Sequence, residues 1–349
     1  MKQLIYNTFF GLLLTVIVLP VMAKSNVEKK KSVHKVYEVK SFVQLKIENS
    51  FGRVHINTTE GQEIDVLVEV IARRKTDERA MELLDRINVD ISESGSVIAF
   101  KTDIEGNINN RNNEDFEINY TVSMPKVNPL DLKNSFGDAY LANLDGDAKL
   151  RISYGNIKAE RLNGESDIKV SFGEGDFEYV KTGNIEVKYS EVNFEQLGIV
   201  KFEQGFSEVG IGRVKTMELV SKYGQLEIDQ VDGIKGYIGY SDLRVGYVGI
   251  ELDMEAAYVP SFQIEKIAKS FKKVNVQSKF SSIELEFEEG ANGSFEAFVK
   301  YGDIDYSNAL ISLNYRNNSD NKAEYRGKIG NGKGGVVTLS NSYGNIEVD

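Results

Sequence analysis

FGEGDFEYVKTGNIEVK (172–188), YSEVNFEQLGIVKFEQG (189–205), FSEVGIGRVKTMELVSK (206–222) and YGQLEIDQVDGIKGYIG (223–239) are four successive segments of 17 residues. Each opens on an aromatic residue followed by Gly or Ser. Outward from this stretch the same pair recurs at Phe136-Gly137, Tyr154-Gly155 and Tyr240-Ser241, so the steps from Phe136 to Tyr240 are 18, 18, 17, 17, 17 and 17 residues. Outlying copies stand at Phe51-Gly52, Phe280-Ser281, Tyr301-Gly302 and Tyr343-Gly344. A fixed period of this size is the signature of a solenoid.

Columns read across the copies give the local structure. Three residues after the aromatic stand Gly175, Val192, Val209 and Leu226, five after it Phe177, Phe194, Ile211 and Ile228, and eight after it Val180, Leu197, Val214 and Val231. Polar residues separate the first two columns, which is the alternation of a strand with one buried face. A meander of antiparallel hairpins would not keep one residue type at one offset in every copy. Parallel stacking does, because equivalent residues lie over one another. The pattern predicts an all-β parallel solenoid with rungs of 17–18 residues. Gly or Ser after the aromatic suits a sharp corner, and Asp145-Gly146, Asn163-Gly164 and Asp232-Gly233 mark the opposite one. The aromatic anchors are expected inside, as an internal ladder, rather than exposed to sugar rings.

The array needs ends, because terminal rungs expose unpaired edges. Residues 33–129 read as a less regular N-terminal cap, 130–259 as the regular rungs, and 260–349 as longer C-terminal rungs. The cap is expected to hold strands at 43–47, 54–56 and 64–70. It also carries one short helix over 76–87, with Thr76 as N-cap and Ala80, Leu83, Leu84 and Ile87 on one face. Asp103–Asn113 and Asn314–Lys322 read as polar loops.

The first 23 residues have the form of a signal peptide: Lys2, an apolar run from Phe9 to Leu19, then Val21-Met22-Ala23, with cleavage expected after Ala23. A retained anchor is the competing reading. The run is short for a bilayer-spanning helix, and no second run approaches that length. Residues 24–32 read as a charged linker. Composition removes several chemistries. The 349 residues contain no Cys, which excludes disulfides, thiol nucleophiles and cysteine-held metals. Two histidines, His34 and His55, cannot form a three-histidine site and fall in no catalytic motif. A net charge of −11 opposes nucleic-acid binding.

Asn-Ser-Phe-Gly at 49–52 and 134–137, Gly-Asn-Ile at 155–157, 183–185 and 344–346, the strand–helix–strand before Tyr120–Pro125, and the glycine-rich Gly327–Gly335 together resemble the bacterial adhesin-like family with the head GIN domain, or toast-rack-like β-helix. The resemblance spans Val33 to Asp349. It implies single-stranded, right-handed β-helices exported to the bacterial envelope, with adhesion the proposed role, and it supplies no catalytic residues.

Candidate sites lie on the outward columns. Two residues after the anchors stand Asp138, Asn156, Glu174, Glu191, Glu208, Gln225 and Asp242, an acidic line along one edge. Glu174, Glu191 and Glu208 are the candidate ligands for a divalent cation or a basic partner. The competing reading is that they solvate the corner and discourage sheet association. No cofactor is implied. The expectation is a non-catalytic envelope protein, exported to the periplasm, outer membrane or cell surface, serving as a scaffold or as an adhesin-like surface for a glycan or envelope protein. The alternative is a carbohydrate-active enzyme of lyase or hydrolase type with its site on the irregular loops.

Overall fold

The structure, a computed structural model, describes residues 26–40, 42–106 and 115–349. The leader and its cleavage site after Ala23 lie outside the described residues, as does most of the polar loop expected at 103–113. The described residues form one continuous 25-stranded, mostly parallel sheet with a single α-helix. The all-β solenoid read from the repeat is therefore the observed architecture.

The cap holds β1 (Val27–Glu38), β2 (Gln44–Ser50), β3 (Val54–Thr59), β4 (Glu63–Arg74), α1 (Asp77–Asp85), β5 (Ile87–Ser94), β6 (Val97–Ile104) and β7 (Asp115–Pro125). Residues 27–32, expected within a charged linker, are the first half of β1, which pairs antiparallel with β4. An edge strand tolerates such charge because its side chains find partners: Lys29 meets Asp77, and Lys31 donates to the carbonyl of Ile87. Thr76 caps α1 as expected, accepting from the Arg79 N–H, and Ala80, Leu83 and Leu84 are its buried face, whereas Ile87, expected on that face, opens β5 because the helix ends at Asp85. The first rung, β2 and β3 around Phe51, is covered by β6 and β7, which pair parallel with it. Antiparallel β5 and β4 then close the outer edges of β6 and β7.

The array continues through β8 (Leu130–Ser135), β9 (Ala139–Leu141), β10 (Ala148–Ser153), β11 (Ile157–Ser171), β12 (Glu174–Lys188), β13 (Glu191–Gly205), β14 (Glu208–Lys222), β15 (Gln225–Gly239) and β16 (Asp242–Ala257). Neighbours from β12 to β15 pair parallel at a constant offset of 17, as in Glu174↔Glu191↔Glu208↔Gln225. The extra residue of an 18-residue rung is absorbed at the corner opposite the aromatics, where register shifts between Leu162 and Glu165. Each rung has two arms. The first buries the columns three, five and eight residues after the anchor; the second buries residues such as Ile185 and Val187, Val200 and Phe202, and Met217 and Leu219. These side chains form one continuous core along the axis. Within it Phe177 stacks on Phe194 at 4.9 Å.

The C-terminal end contains β17 (Phe262–Ile267), β18 (Lys273–Lys279), β19 (Ile283–Phe287), β20 (Gly293–Lys300), β21 (Ile304–Tyr306), β22 (Ile311–Ser319), β23 (Lys322–Ile329), β24 (Gly335–Ser342) and β25 (Ile346–Val348). Chain order and stacking order part company here. β24 pairs with both β18 and β20, and β25 with both β19 and β21. The last rung in sequence is thus the last but one in space. Residues 314–322, expected as a loop, belong to the β22–β23 hairpin, whose β23 pairs antiparallel with β20 and covers that edge. The Asn-rich tip concealed the hairpin because residues 316–322 are polar and interrupt the alternation of Ile311, Leu313 and Tyr315 before it resumes at Tyr325 and Ile329.

Candidate binding surface

Each aromatic-Gly/Ser pair builds a corner whose geometry reverses the expectation of an internal ladder. The eleven anchors Phe51, Phe136, Tyr154, Phe172, Tyr189, Phe206, Tyr223, Tyr240, Phe280, Tyr301 and Tyr343, and a twelfth, Tyr258, which Val259 follows in place of Gly or Ser, all have positive φ, between 52° and 62°. This left-handed conformation turns the chain at the end of the second arm. It faces the aromatic outward and the following residue inward: the anchors are 39–54 % exposed, whereas Ser190, Ser207, Ser241 and Ser281 are buried. For an L-residue the conformation costs ~1–2 kcal/mol, and a bulky side chain adopting it is uncommon.

The inward residue must fit against the rung below. A Cβ on Gly155 would lie 2.2 Å from the carbonyl oxygen of Gly137, so glycine is required there. Where serine stands, its hydroxyl joins the corner. Ser207 Oγ accepts from the Ser190 N–H at 3.2 Å and donates to the Gly205 carbonyl at 2.9 Å. The Asn of the Asn-Ser-Phe-Gly motif has a matching role. Asn134, fully buried, donates to the carbonyls of Gly52 and Gly137 at 3.1 and 2.8 Å, and Asn341 donates to Ser281 at 2.9 Å. Burying these carbonyls without a donor would cost ~1–3 kcal/mol each.

The outward rings stack. Successive anchors from Phe51 to Tyr301 have centroids 4.8–5.0 Å apart and planes within 14° of parallel, with Tyr343 lying between Phe280 and Tyr301. Flat rings in contact lie ~3.5–4 Å apart, so this is an offset stack, each pair stabilising by ~0.5–1.5 kcal/mol. The result is a ridge of twelve rings about 50 Å long at ~4.8 Å per rung. Both faces of every interior ring lie against its neighbours. The ridge therefore offers ring edges and tyrosine hydroxyls, and a sugar cannot stack on its interior rings.

Beside the ridge runs the acidic column. Glu174, Glu191, Glu208, Gln225 and Asp242 lie in register on adjacent rungs. With the ring edges they wall an open groove of about 800 Å³, floored by Gly173, Ser190, Ser207 and Gly224. The shorter side chains of this column serve the backbone: Asp138 accepts from the Asn156 N–H at 3.0 Å, and Asn156 from the Glu174 N–H at 3.1 Å. Glu174, Glu191 and Glu208 are brought together as expected. Among the described residues, however, no group of three or more His, Asp or Glu side chains is arranged to hold a metal ion.

The outer face of the second arm contrasts with this column, because its charges pair across rungs. Arg151 bridges Asp131 and Asp167, and Glu186 lies between Lys169 and Lys188. Hydrogen bonds from Lys169 and then Lys188 hold the Glu186 carboxyl below the usual carboxylate range. Asp253 is lowered in the same way by Lys273. His34 contacts Asp65 at 2.7 Å, and His55 stacks on Tyr140 at 4.5 Å; both are surface strand residues, as expected.

The exposed ridge was not read from the sequence, although one signal pointed to it. Seven of the twelve anchors are tyrosine, and buried hydroxyls would each need a partner. Among the described residues no helix is long and apolar enough to cross a membrane.

No protein-family model and no curated protein matches the chain. Among solved structures it is similar to a proposed cell-adhesion protein from Clostridium sporogenes (10 % identity, 92 % of this chain and 99 % of the other, TM-score 0.21). It is also similar to a proposed adhesin from Bacteroides fragilis (11 %, 91 % and 97 %, TM-score 0.29). A third is a proposed lipid-binding protein from Parabacteroides distasonis (10 %, 91 % and 96 %, TM-score 0.30). Similarity at this level transfers neither ligand nor role.

Proposed function

We propose that the protein is an exported, non-catalytic component of the cell envelope, a scaffold or adhesin-like element that docks a macromolecular partner along its aromatic ridge. The observation that carries this reading is the ridge itself. Twelve rings are held in a strained backbone conformation and left about half exposed, in one unbroken line. Strain retained at repeated surface positions points to use, and a long apolar strip on a polar surface marks an interaction site. The regular spread of carboxylates along the rungs supports a binding role over catalysis, which needs one locally distinct set of convergent groups. Export rests on the leader-like N-terminus. A glycan partner would engage ring edges, hydroxyls and carboxylates rather than ring faces.

The test is a binding-and-turnover screen of the full chain, as processed by its host, against envelope and host polysaccharides. The Tyr189→Asn, Phe206→Asn, Tyr223→Asn variant is run beside it, because asparagine accepts the left-handed conformation. Binding without product, lost in the triple variant, supports the proposal. Product formation by the unmodified chain overturns it.

A further inference from the structure

We infer that the partner on the ridge is a second copy of this chain, the two solenoids lying side by side and parallel about a two-fold axis that runs along the ladder. The inference rests on the ridge being a docking surface and names its occupant.

The first argument is area. A fully covered aromatic side chain buries ~150–250 Å², so twelve rings about half exposed present on the order of 1,000 Å². The largest apolar patch on an ordinary monomer is ~300–600 Å², while each side of a stable interface supplies ~800 Å². The ridge is too large for the first and sufficient for the second.

The second argument is self-complementarity. The groove runs alongside the ridge for several rungs, so a second ridge laid parallel to the first can enter it. Rotation about an axis parallel to the ladder, midway between ridge and groove, seats each ridge in the other's groove. It also keeps every rung level with the same rung of its partner, so the ~4.8 Å repeats stay in step.

Charge selects this axis over the alternative. On the groove side stand Glu174, Glu191 and Glu208. On the other side, immediately before the ring, stand Lys222 and Lys279, together with Lys188, which is already paired with Glu186 and Glu203. An axis along the ladder sets the lysine side of one copy against the carboxylate side of the other. A two-fold across the ladder would set like against like, which is unfavourable. Among the described residues, Glu174, Glu191 and Glu208 have no ion-pair partner. With the rungs level, Lys222 of one copy stands opposite Gln225 of the other and one rung, ~4.8 Å, from Glu208, a step its long side chain spans, so Lys222 and Glu208 are one complementary pair across the interface.

The test uses the full chain as processed by its host. Sedimentation over the micromolar range is expected to show a dimer. Glu208→Lys should weaken it by at least about tenfold, and Glu208→Lys combined with Lys222→Glu should restore it. Both positions are exposed, so folding is retained. The absence of cysteine allows single spin labels at Arg53→Cys and Asp303→Cys, in one column at opposite ends of the ladder. Self-distances between copies should be short at both ends. A monomer at every concentration, a dimer indifferent to Glu208→Lys, or long self-distances at both ends each overturns the inference. If the chain is monomeric while the asparagine triple variant still abolishes polysaccharide binding, the homotypic assignment alone fails and the docking reading stands.

Discussion

At the residue scale the corner is where sequence and strain meet. Phe206 at φ 53° stacks on Tyr189 and Tyr223, and those contacts offset the cost of its conformation. Phe206→Asn loses stacking but relieves strain, whereas Phe206→Val loses stacking and adds a β-branched clash. Urea denaturation should find the valine variant less stable than the asparagine variant by ~1 kcal/mol or more. Equal stability would show that the corner is not strained. Glycines divide by the same geometry. Gly155→Ala meets backbone at 2.2 Å and should be severely destabilising, while Gly290→Ala, at φ +83° with nothing nearby, should cost only ~1 kcal/mol.

Tyr120, buried beneath the Phe51 corner and hydrogen-bonded to Thr102 at 2.9 Å, has its hydroxyl pushed up to about 12 by burial. Its folded form holds the proton while the unfolded chain releases it near pH 10. Stability should therefore fall as pH rises from about 10 to about 12, by an amount on the order of 2–3 kcal/mol. Melting temperatures over that range should fall less steeply in Tyr120→Phe. An unchanged slope would remove Tyr120 as the cause.

At the element scale, both ends solve the open-edge problem by the same device. The terminal layers β6–β7 and β20–β21 lie outside the first and last rungs in sequence, and antiparallel strands close most of what remains. This interleaving places β24–β25 between strands already separated in the chain. Truncation after Lys333 would leave β18 and β20 with facing unpaired edges and an opened core. Such a chain should lose solubility and show accelerated proteolysis at its C-terminal end; a soluble, equally resistant truncation would contradict the observed strand order. The regular rungs were legible because periodicity writes itself into columns such as Val192, Val209 and Leu226. The stacking order was not, because pairing between residues such as Lys279 and Ser342 leaves no mark on local pattern. The helix was legible through Thr76 and its apolar stripe, and β22–β23 was not, because its polar tip breaks the alternation between Tyr315 and Tyr325.

At the scale of the whole molecule, the solenoid is a rod with unlike sides. The second arm's outer charges are cross-paired and the ridge is apolar, with an acidic column beside it. The acidic column was legible from offsets alone, since register in a parallel stack follows sequence spacing. The ridge was misplaced because aromatic periodicity is the same for an inner and an outer ladder; the sign of φ separates them, and sequence does not display it. Cross-rung pairs such as Glu186 with Lys169 lower carboxylate titration in the fold. Their contribution is present above the ordinary carboxylate range and lost as pH falls through the lowered values.

The most direct measurement is tyrosine modification read by mass spectrometry, comparing the dilute purified chain with the chain in its own cellular fraction. If the ridge is a docking surface, Tyr189, Tyr223 and Tyr240 react in the dilute chain and are protected in the cell, while exposed Tyr315 outside the ladder reacts in both. Ladder tyrosines that react as readily as Tyr315 in both settings would contradict the account.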